Sequence, residues 1–252
     1  MRPLITLLTD FGTADGYVGE MKGVLRSMAP ESDIVDIAHD IPAHDVETCR
    51  LAVARYWRRF PAGTVHIVVV DPGVGSARAA LAVGSDGRFL TGPDNGVLSP
   101  ALLVGGARVS RLPIPENAAP TFHGRDVFAP AAALLATGAP IDTLGVAFED
   151  PIIRRTPEAH RNPDGTMSGE VIAVDRFGNL ITNLVAPRGG KIEIAGRKLG
   201  AIVHTYADAD PGGSDLVAII GSTGLVEIAM RGRSAAAALD VGRGAAVTML
   251  PP

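Results

Sequence analysis

The stretch Val65-His66-Ile67-Val68-Val69-Val70-Asp71-Pro72-Gly73-Val74-Gly75-Ser76-Ala77-Arg78 decides the fold of this chain. Positions 65–70 are β-branched apolar residues or His66, with no alternating polar face. Such a run is a strand buried on both sides, as at the centre of a parallel sheet. It stops at an acid followed by proline and two glycines, so the chain leaves the strand through a loop with Asp71 at its mouth. Ligands of parallel sheets gather beyond the carboxyl ends of the strands, which makes Asp71 and Arg78, seven residues on, candidates for chemistry. The same pair also fits an ion pair that merely holds the loop. No Gly-Lys-Ser/Thr follows and the third glycine of a dinucleotide fingerprint is missing, so the loop is neither kind of phosphate cradle.

Outward from this strand, the first part of the chain repeats the strand–helix rhythm of βαβ units. Ile5–Leu8 and Ile34–Ile37 read as strands. Between them Val18, Met21, Leu25 and Met28 recur at steps of three and four, the stripe of a helix that ends before Pro30. Val46, Cys49, Val53, Tyr56 and Trp57 form a second stripe. Ala80–Val83, Phe89–Thr91 and Val109–Leu112 read as further strands and Val127–Leu135 as a helix. The spacing predicts an α/β domain with a largely parallel central sheet over residues 1–155 and a linker of Arg, Pro and turn residues over 156–167. A smaller all-β barrel over 168–252 is predicted from short strands at Val171–Val174, Leu180–Thr182, Lys191–Ile194, Ala201–His204, Leu216–Ile220, Leu225–Ala229 and Ala246–Leu250.

Composition narrows the class. The 252 residues are 46% hydrophobic and 20% charged, enough apolar material for packed cores, while only 4% are aromatic, so Val, Ile, Leu and Ala fill them. The net charge of -4, with no basic arm, argues against nucleic acid as partner and for a small molecule. Cys49 stands alone, which excludes an intramolecular disulfide and a multi-cysteine metal site and fits a reducing, cytoplasmic location. No uncharged apolar stretch approaches the ~20 residues of a membrane helix.

Three more clusters carry chemistry. Thr9-Asp10-Phe11-Gly12 follows the first strand, where a carboxylate at a strand end suits two sugar hydroxyls, though Asp10 equally suits a turn cap. Thr121-Phe122-His123-Gly124-Arg125-Asp126 places a histidine beside a glycine at a helix entrance. Asp175-Arg176-Phe177-Gly178-Asn179, with Thr182 and Asn183, offers groups for an ammonium and a carboxylate, or a turn held by Asx caps. HExxH, GxSxG, CxxC and GxxxxGK[ST] are absent, which removes the main support for zinc-protease, α/β-hydrolase, thioredoxin and P-loop readings. Asp10, His66, Asp71 and His123 are types that can ligate a divalent ion, and nothing in their spacing is diagnostic for or against it.

Taken in order, ITLLTDFG (5–12), VDPGVGSAR (70–78), GPDNG (92–96), TFHGRDVFAP (121–130) and VDRFGNLITN (174–183) resemble the S-adenosyl-L-methionine (SAM) hydroxide adenosyltransferases, relatives of the SAM-dependent fluorinase and chlorinase. The resemblance implies hydrolysis of SAM to adenosine and L-methionine, without cofactor or metal, in a homotrimer whose active sites lie between subunits. It puts the family's catalytic Asp-Arg-His set on Asp71, Arg78 and His123. The ribose-binding acid falls on Asp10, the methionine-binding pair on Asp175 and Asn179, and a further carboxylate contact on Ser222. Arg233–Ala236 resembles the segment that meets the adenine edge. Halogenases of the group carry an uncharged residue where Asp71 stands and a hydroxyl or small residue in the halide pocket where Val74 and Gly124 stand. They also carry an insertion that this chain lacks, and His44 takes the place of a pocket tryptophan of the fluorinase.

The chemistry is consistent with these residues. The leaving group is a neutral thioether and needs no acid, so the task is to place water in line with the C5′–S bond and remove its proton. Asp71 and His123 are both candidates for that proton, with Arg78 keeping the carboxylate charged. A SAM- or adenosine-binding sensor without turnover and a halogenase are the competing readings. A carboxylate beside the nucleophile repels halide but holds water, which favours hydrolysis.

Overall fold

The computed structural model describes residues 2–186, 189–208 and 214–251. The chain divides into two compact units, 1–155 and 156–252.

The first unit contains β1 (Leu4–Thr9), α1 (Tyr17–Met28), β2 (Asp33–Ala38), α2 (Val46–Tyr56), β3 (Val65–Val69), β4 (Ala80–Ser85) and β5 (Arg88–Pro93). There follow α3 (Ser99–Leu102), β6 (Arg108–Leu112), a π-helical turn over Gly124–Phe128, α4 (Ala129–Ala136) and β7 (Val146–Ala147). The strands form one sheet in the order β2-β1-β3-β5-β4-β6-β7. Ile5, Leu7, Ile67 and Val69 face a core shared with α1 and α4, while Leu8, Val68 and Val70 face the core beneath α2 and α3. The opening run is therefore buried on both faces, as its composition requires.

The pairings β2-β1, β1-β3 and β3-β5 are parallel, and β5-β4, β4-β6 and β6-β7 are antiparallel. The sheet is thus mixed, with its parallel half at the residues of interest. The change of sense comes from Asp86-Gly87, both at positive φ (49° and 70°), which close a two-residue hairpin between the paired Ser85 and Arg88.

The second unit contains β8 (His160–Arg161), β9 (Met167–Val174), β10 (Leu180–Thr182), β11 (Lys191–Ile194), β12 (Arg197–Ala201), β13 (Leu216–Ile220), β14 (Val226–Met230), α5 (Ala235–Leu239) and β15 (Ala246–Leu250). The order is β12-β11-β15-β9-β10-β14-β13, and Val203, just beyond β12, bridges Ile219 of β13, so the antiparallel sheet nearly closes on itself around Val171, Leu180, Ile192, Val226 and Ile228. The strand expected at Ala201–His204 lies earlier, at Arg197–Ala201, because Ala195-Gly196 (φ 49° and 71°) make a two-residue hairpin with β11. The stretch expected as a linker, 156–167, holds β8 and the first residue of β9, hydrogen-bonded to each other through His160–Ser168 and Arg161–Met167. The alanine run near 235 forms α5, capped by Ser234, whose Oγ accepts the Ala237 N–H at 3.0 Å.

His66, fully buried in β3, is held by Thr6 (Oγ1 to Nδ1, 2.8 Å) and by the edges of Tyr56 and Phe60. Burial, with help from Arg88, pushes its pKa down from 6.5 to about 4, against the pull of the Trp57 carbonyl. The native state therefore resists a proton that the unfolded chain accepts. Stability is full above pH 6.5 and declines as pH falls toward 4, by about 3 kcal/mol from this residue alone. Urea unfolding at pH 7 and pH 4.5 checks this: His66→Gln should flatten the pH dependence, and an unchanged slope would assign the acid loss elsewhere.

Candidate active site

In the first unit the chain runs from β1 outward to β2 and then returns across β1 to β3, so β1 and β3 are neighbours whose connections diverge. A crevice opens at the carboxyl ends of such a pair. Thr9 and Val69 are paired there, which brings Asp10 and Asp71 to the same edge of the sheet.

Asp71 and Arg78 are nearly buried, at 5% and 9% side-chain exposure. Arg78 Nε donates to Asp71 Oδ1 at 3.1 Å and Nη2 donates to Oδ2, a two-point pairing that fixes both groups. Nη2 also lies 2.9 Å from His123 Nδ1, and the guanidinium carbon sits 5.4 Å from the Phe128 ring centre. His123 is buried and heads the π turn, an irregularity that recurs at functional sites. Gly75 explains how the two loops meet: its φ is +76°, and a Cβ there would stand 2.7 Å from the Pro120 carbonyl oxygen.

The geometry fixes the tautomer of His123. Guanidinium N–H groups only donate, so Nδ1 must be the acceptor and the ring proton sits on Nε2. Burial, and then the charge of Arg78, lower the His123 pKa, opposed by Asp71 and Asp126. The ring is neutral at pH 7 and offers an N–H, while Asp71 supplies a negative charge.

Asp10 is oriented by the backbone: His44 N donates to its Oδ2 at 2.8 Å, from a residue held at φ 66°. A non-glycine residue in the left-handed region marks a constrained segment. His44 thus meets the site through its main chain. The GPDNG segment braces the same edge. Asn95 Nδ2 donates to the Val70 carbonyl at 2.9 Å, and Asp94 Oδ1 accepts the Ile152 N–H at 2.8 Å. Gly92 faces the Val68 carbonyl so closely that no side chain fits. His66 points away, to Thr6, Tyr56 and Phe60, and among the described residues no three His, Cys, Asp or Glu side chains gather as a metal site.

Phe11, Tyr17 and Phe122 form an edge-to-face trio, with centroids 5.2–6.0 Å apart, beside Gly124. A Cβ on Gly124 would be 3.3 Å from Phe11, Phe122 and Met21 Sδ, so the wall is already full. These aromatics, like Asn95, went unread as site-building residues in the sequence because each looks like ordinary packing.

The second unit carries an open cavity of about 1020 Å³, lined by Phe177, Asn179, Tyr206, Arg233 and Ser234 among others. Phe177 is 77% exposed and Tyr206 47%, unusual for free aromatic rings, and together they offer flat apolar walls of the kind a planar base stacks on. Asp175 acts in the turn: Oδ1 accepts the Phe177 and Asn179 N–H groups and Oδ2 accepts Asn179 Nδ2, each at 2.9 Å. That leaves the Asn179 carbonyl oxygen as the free end of its amide. Gly178 abuts Ser234 and accepts the Ala236 N–H at 2.9 Å, which joins the turn to the 233–236 segment. Ser222 lies in the β13–β14 turn, at the Val226 end of β14, whereas Met230 at the other end lines the cavity.

An acid–arginine–histidine cluster at the switch point of an α/β sheet, followed by a near-closed antiparallel barrel with an open cavity, is the arrangement of a two-domain enzyme. Comparison with known proteins places it more narrowly. Residues 5–145 match the SAM hydroxide adenosyltransferase N-terminal domain and 169–248 the corresponding C-terminal domain. The chain belongs to the SAM hydroxide adenosyltransferase family. It is 41% identical to the (R)-S-adenosyl-L-methionine hydrolase of Thermus thermophilus over 99% of this chain and 100% of that one. Identity to the hydrolase of the same name from Salinispora tropica is 38% over 95% and 94%. A fluorinase from Actinopolyspora mzabensis is more distant, at 28% over 98% and 96%. The crystal structure of a conserved protein from Thermotoga maritima superposes with a TM-score of 0.87 at 29% identity, over 98% of this chain and all of that one.

Proposed function

We propose that this protein hydrolyses (R)-S-adenosyl-L-methionine to adenosine and L-methionine by attack of water on ribose C5′. The observation that carries the reading is the locked set of Asp71, Arg78 and His123 at the carboxyl edge of the sheet, in a chain with hydrolase-named relatives along its whole length. As the new C–O bond forms, the attacking water becomes acidic and its proton must leave. His123, with its proton on Nε2, holds the water by donating to its oxygen, and Asp71 receives the proton. Arg78 keeps both in register. Asp10 holds the ribose hydroxyls. In the second unit Asp175 and Asn179 are the methionine-binding pair and the 233–236 segment meets the adenine edge, the Asp175 carboxylate also bracing the turn that carries Asn179. Ser222 belongs to this reading as a carboxylate contact.

No metal or cofactor enters this mechanism. A homotrimer with active sites at subunit boundaries, working in the cytoplasm, completes the reading; light scattering against the 26.0 kDa chain mass tests the trimer. Among the described residues no helix is long and apolar enough to cross a membrane.

The test is incubation with the separated (R) and (S) sulfonium epimers in chelator-treated, halide-free buffer, following both products by chromatography. Equal release of adenosine and methionine from the (R) epimer, unaffected by chelator or added chloride, is expected. Tight binding without release would make the protein a sensor, and a halogenated nucleoside would make it a halogenase.

A further inference from the structure

A polar chain leads from the surface of the first unit to the back of the Asp10 loop. Lys22 Nζ donates to Asp36 Oδ2 at 2.6 Å. Asp36 Oδ1 lies 3.1 Å from His39 Nε2, within ion-pair range though off the line of a good hydrogen bond. His39 Nδ1 is 2.8 Å from Thr9 Oγ1, and that hydroxyl accepts the Phe11 N–H at 3.3 Å. His39 and Thr9 are buried, so neither is available to attack a substrate. The Thr9 hydroxyl is thus shared between the His39 ring and the Phe11 N–H, which it accepts whichever ring tautomer it meets.

The loop this chain reaches needs holding. Gly12 and Gly16 both have positive φ (64° and 79°), and residues 13–17 are exposed. Its anchors come from the segment that begins at His39. The His39 carbonyl accepts the Gly12 N–H at 2.7 Å, the His39 ring acts through Thr9 on Phe11, and His44 N binds the Asp10 carboxylate itself. Asp10 is therefore followed directly by two anchored backbone groups, Phe11 N and Gly12 N, which His39 holds through its side chain (by way of Thr9) and its main chain.

We propose that Thr9, His39 and Asp36 form a positioning relay that sets the Asp10 carboxylate for the ribose hydroxyls. The inference rests on the reading of Asp10 as the ribose holder. Loss of the relay leaves the Asp71 centre intact, so the effect falls on substrate affinity more than on kcat.

Thr9→Val keeps the shape of a buried side chain and removes only the hydroxyl. It should raise KM and the calorimetric Kd for adenosine by about tenfold, the worth of a hydrogen bond or two, with a smaller fall in kcat. Thr9→Ser restores the hydroxyl and should restore affinity. In an Asp10→Ala background, itself weak for adenosine, Thr9→Val should add almost nothing, because the group being positioned is gone. Asp36→Asn, at a half-exposed site that tolerates change, should raise KM in the same direction and stands in if Thr9→Val does not fold. Normal affinity in Thr9→Val and Asp36→Asn alongside a weak Asp10→Ala overturns the relay. So does a Thr9→Val loss that is undiminished in the Asp10→Ala background, or one that serine does not rescue. Normal adenosine binding by Asp10→Ala would instead remove the ribose reading, and the relay with it.

Discussion

Asp71→Asn is expected to fold, to bind substrate and to lower kcat by roughly 100- to 10,000-fold, the span of a positioned acid–base group. The substitution keeps the shape of the side chain and a carbonyl oxygen for Arg78, so the pairing that joins the two loops survives in part. What disappears is the acceptor for the one proton the reaction releases. His123 does not replace it, since its Nδ1 lone pair is already occupied by Arg78 and its Nε2 carries the proton. His123→Gln, whose amide N–H can stand near the same place, should cost less, about tenfold.

The pH profile separates the two roles. The pKa of His123 lies below 6.5, so the neutral ring persists as pH falls past that value, and kcat/KM should stay level from pH 8 down to 6.5 and drop only below it. Rapid quench or steady-state assays of both variants across that range settle the matter. Asp71→Asn within tenfold of the parent, with His123→Gln inactive, would reverse the assignment.

Much of this centre was legible in the sequence because it lies where regular structure stops. The run at 65–70 names a central strand, and whatever follows such a strand sits at the ligand edge of the sheet, so Asp71 was exposed by its position alone. His123 and Arg78 came from motifs taken in a fixed order. What sequence could not supply was their mutual geometry: nothing in residue spacing says that one guanidinium nitrogen serves both Asp71 and His123, and that contact decides the tautomer. Antiparallel pairing in half the sheet was readable from Asp86-Gly87 but was missed in favour of the α/β rhythm. His39 had no signal, and Thr9 stood out only as the neighbour of Asp10. A histidine after one strand and a threonine at the end of another become partners only once β1 and β2 are paired. The cluster at Asp175 had two readings, a ligand site or a capped turn, and the carboxylate visibly does the second while Asn179 lines the cavity.

Arg78→Met should be the most damaging single change to stability in the site. Arg78 is 9% exposed and Asp71 5%, so methionine fills the channel of the arginine stem but leaves a carboxylate in the interior with no countercharge. Breaking a buried pair from one side costs roughly 3–5 kcal/mol, more than the pair itself contributes. His123 also loses the donor on Nδ1 that fixes its tautomer, so kcat should fall at least as far as in Asp71→Asn. The two effects come apart in the double variant. Asp71→Asn with Arg78→Met removes the stranded charge and should recover most of the lost stability, seen as a higher midpoint in urea than for Arg78→Met alone, while activity stays at the lower level. If the double variant is no more stable than Arg78→Met, the cost lies in the packing of the stem on Phe128 and not in the unpaired carboxylate. If it recovers activity as well, the charge on Asp71 is not what removes the proton.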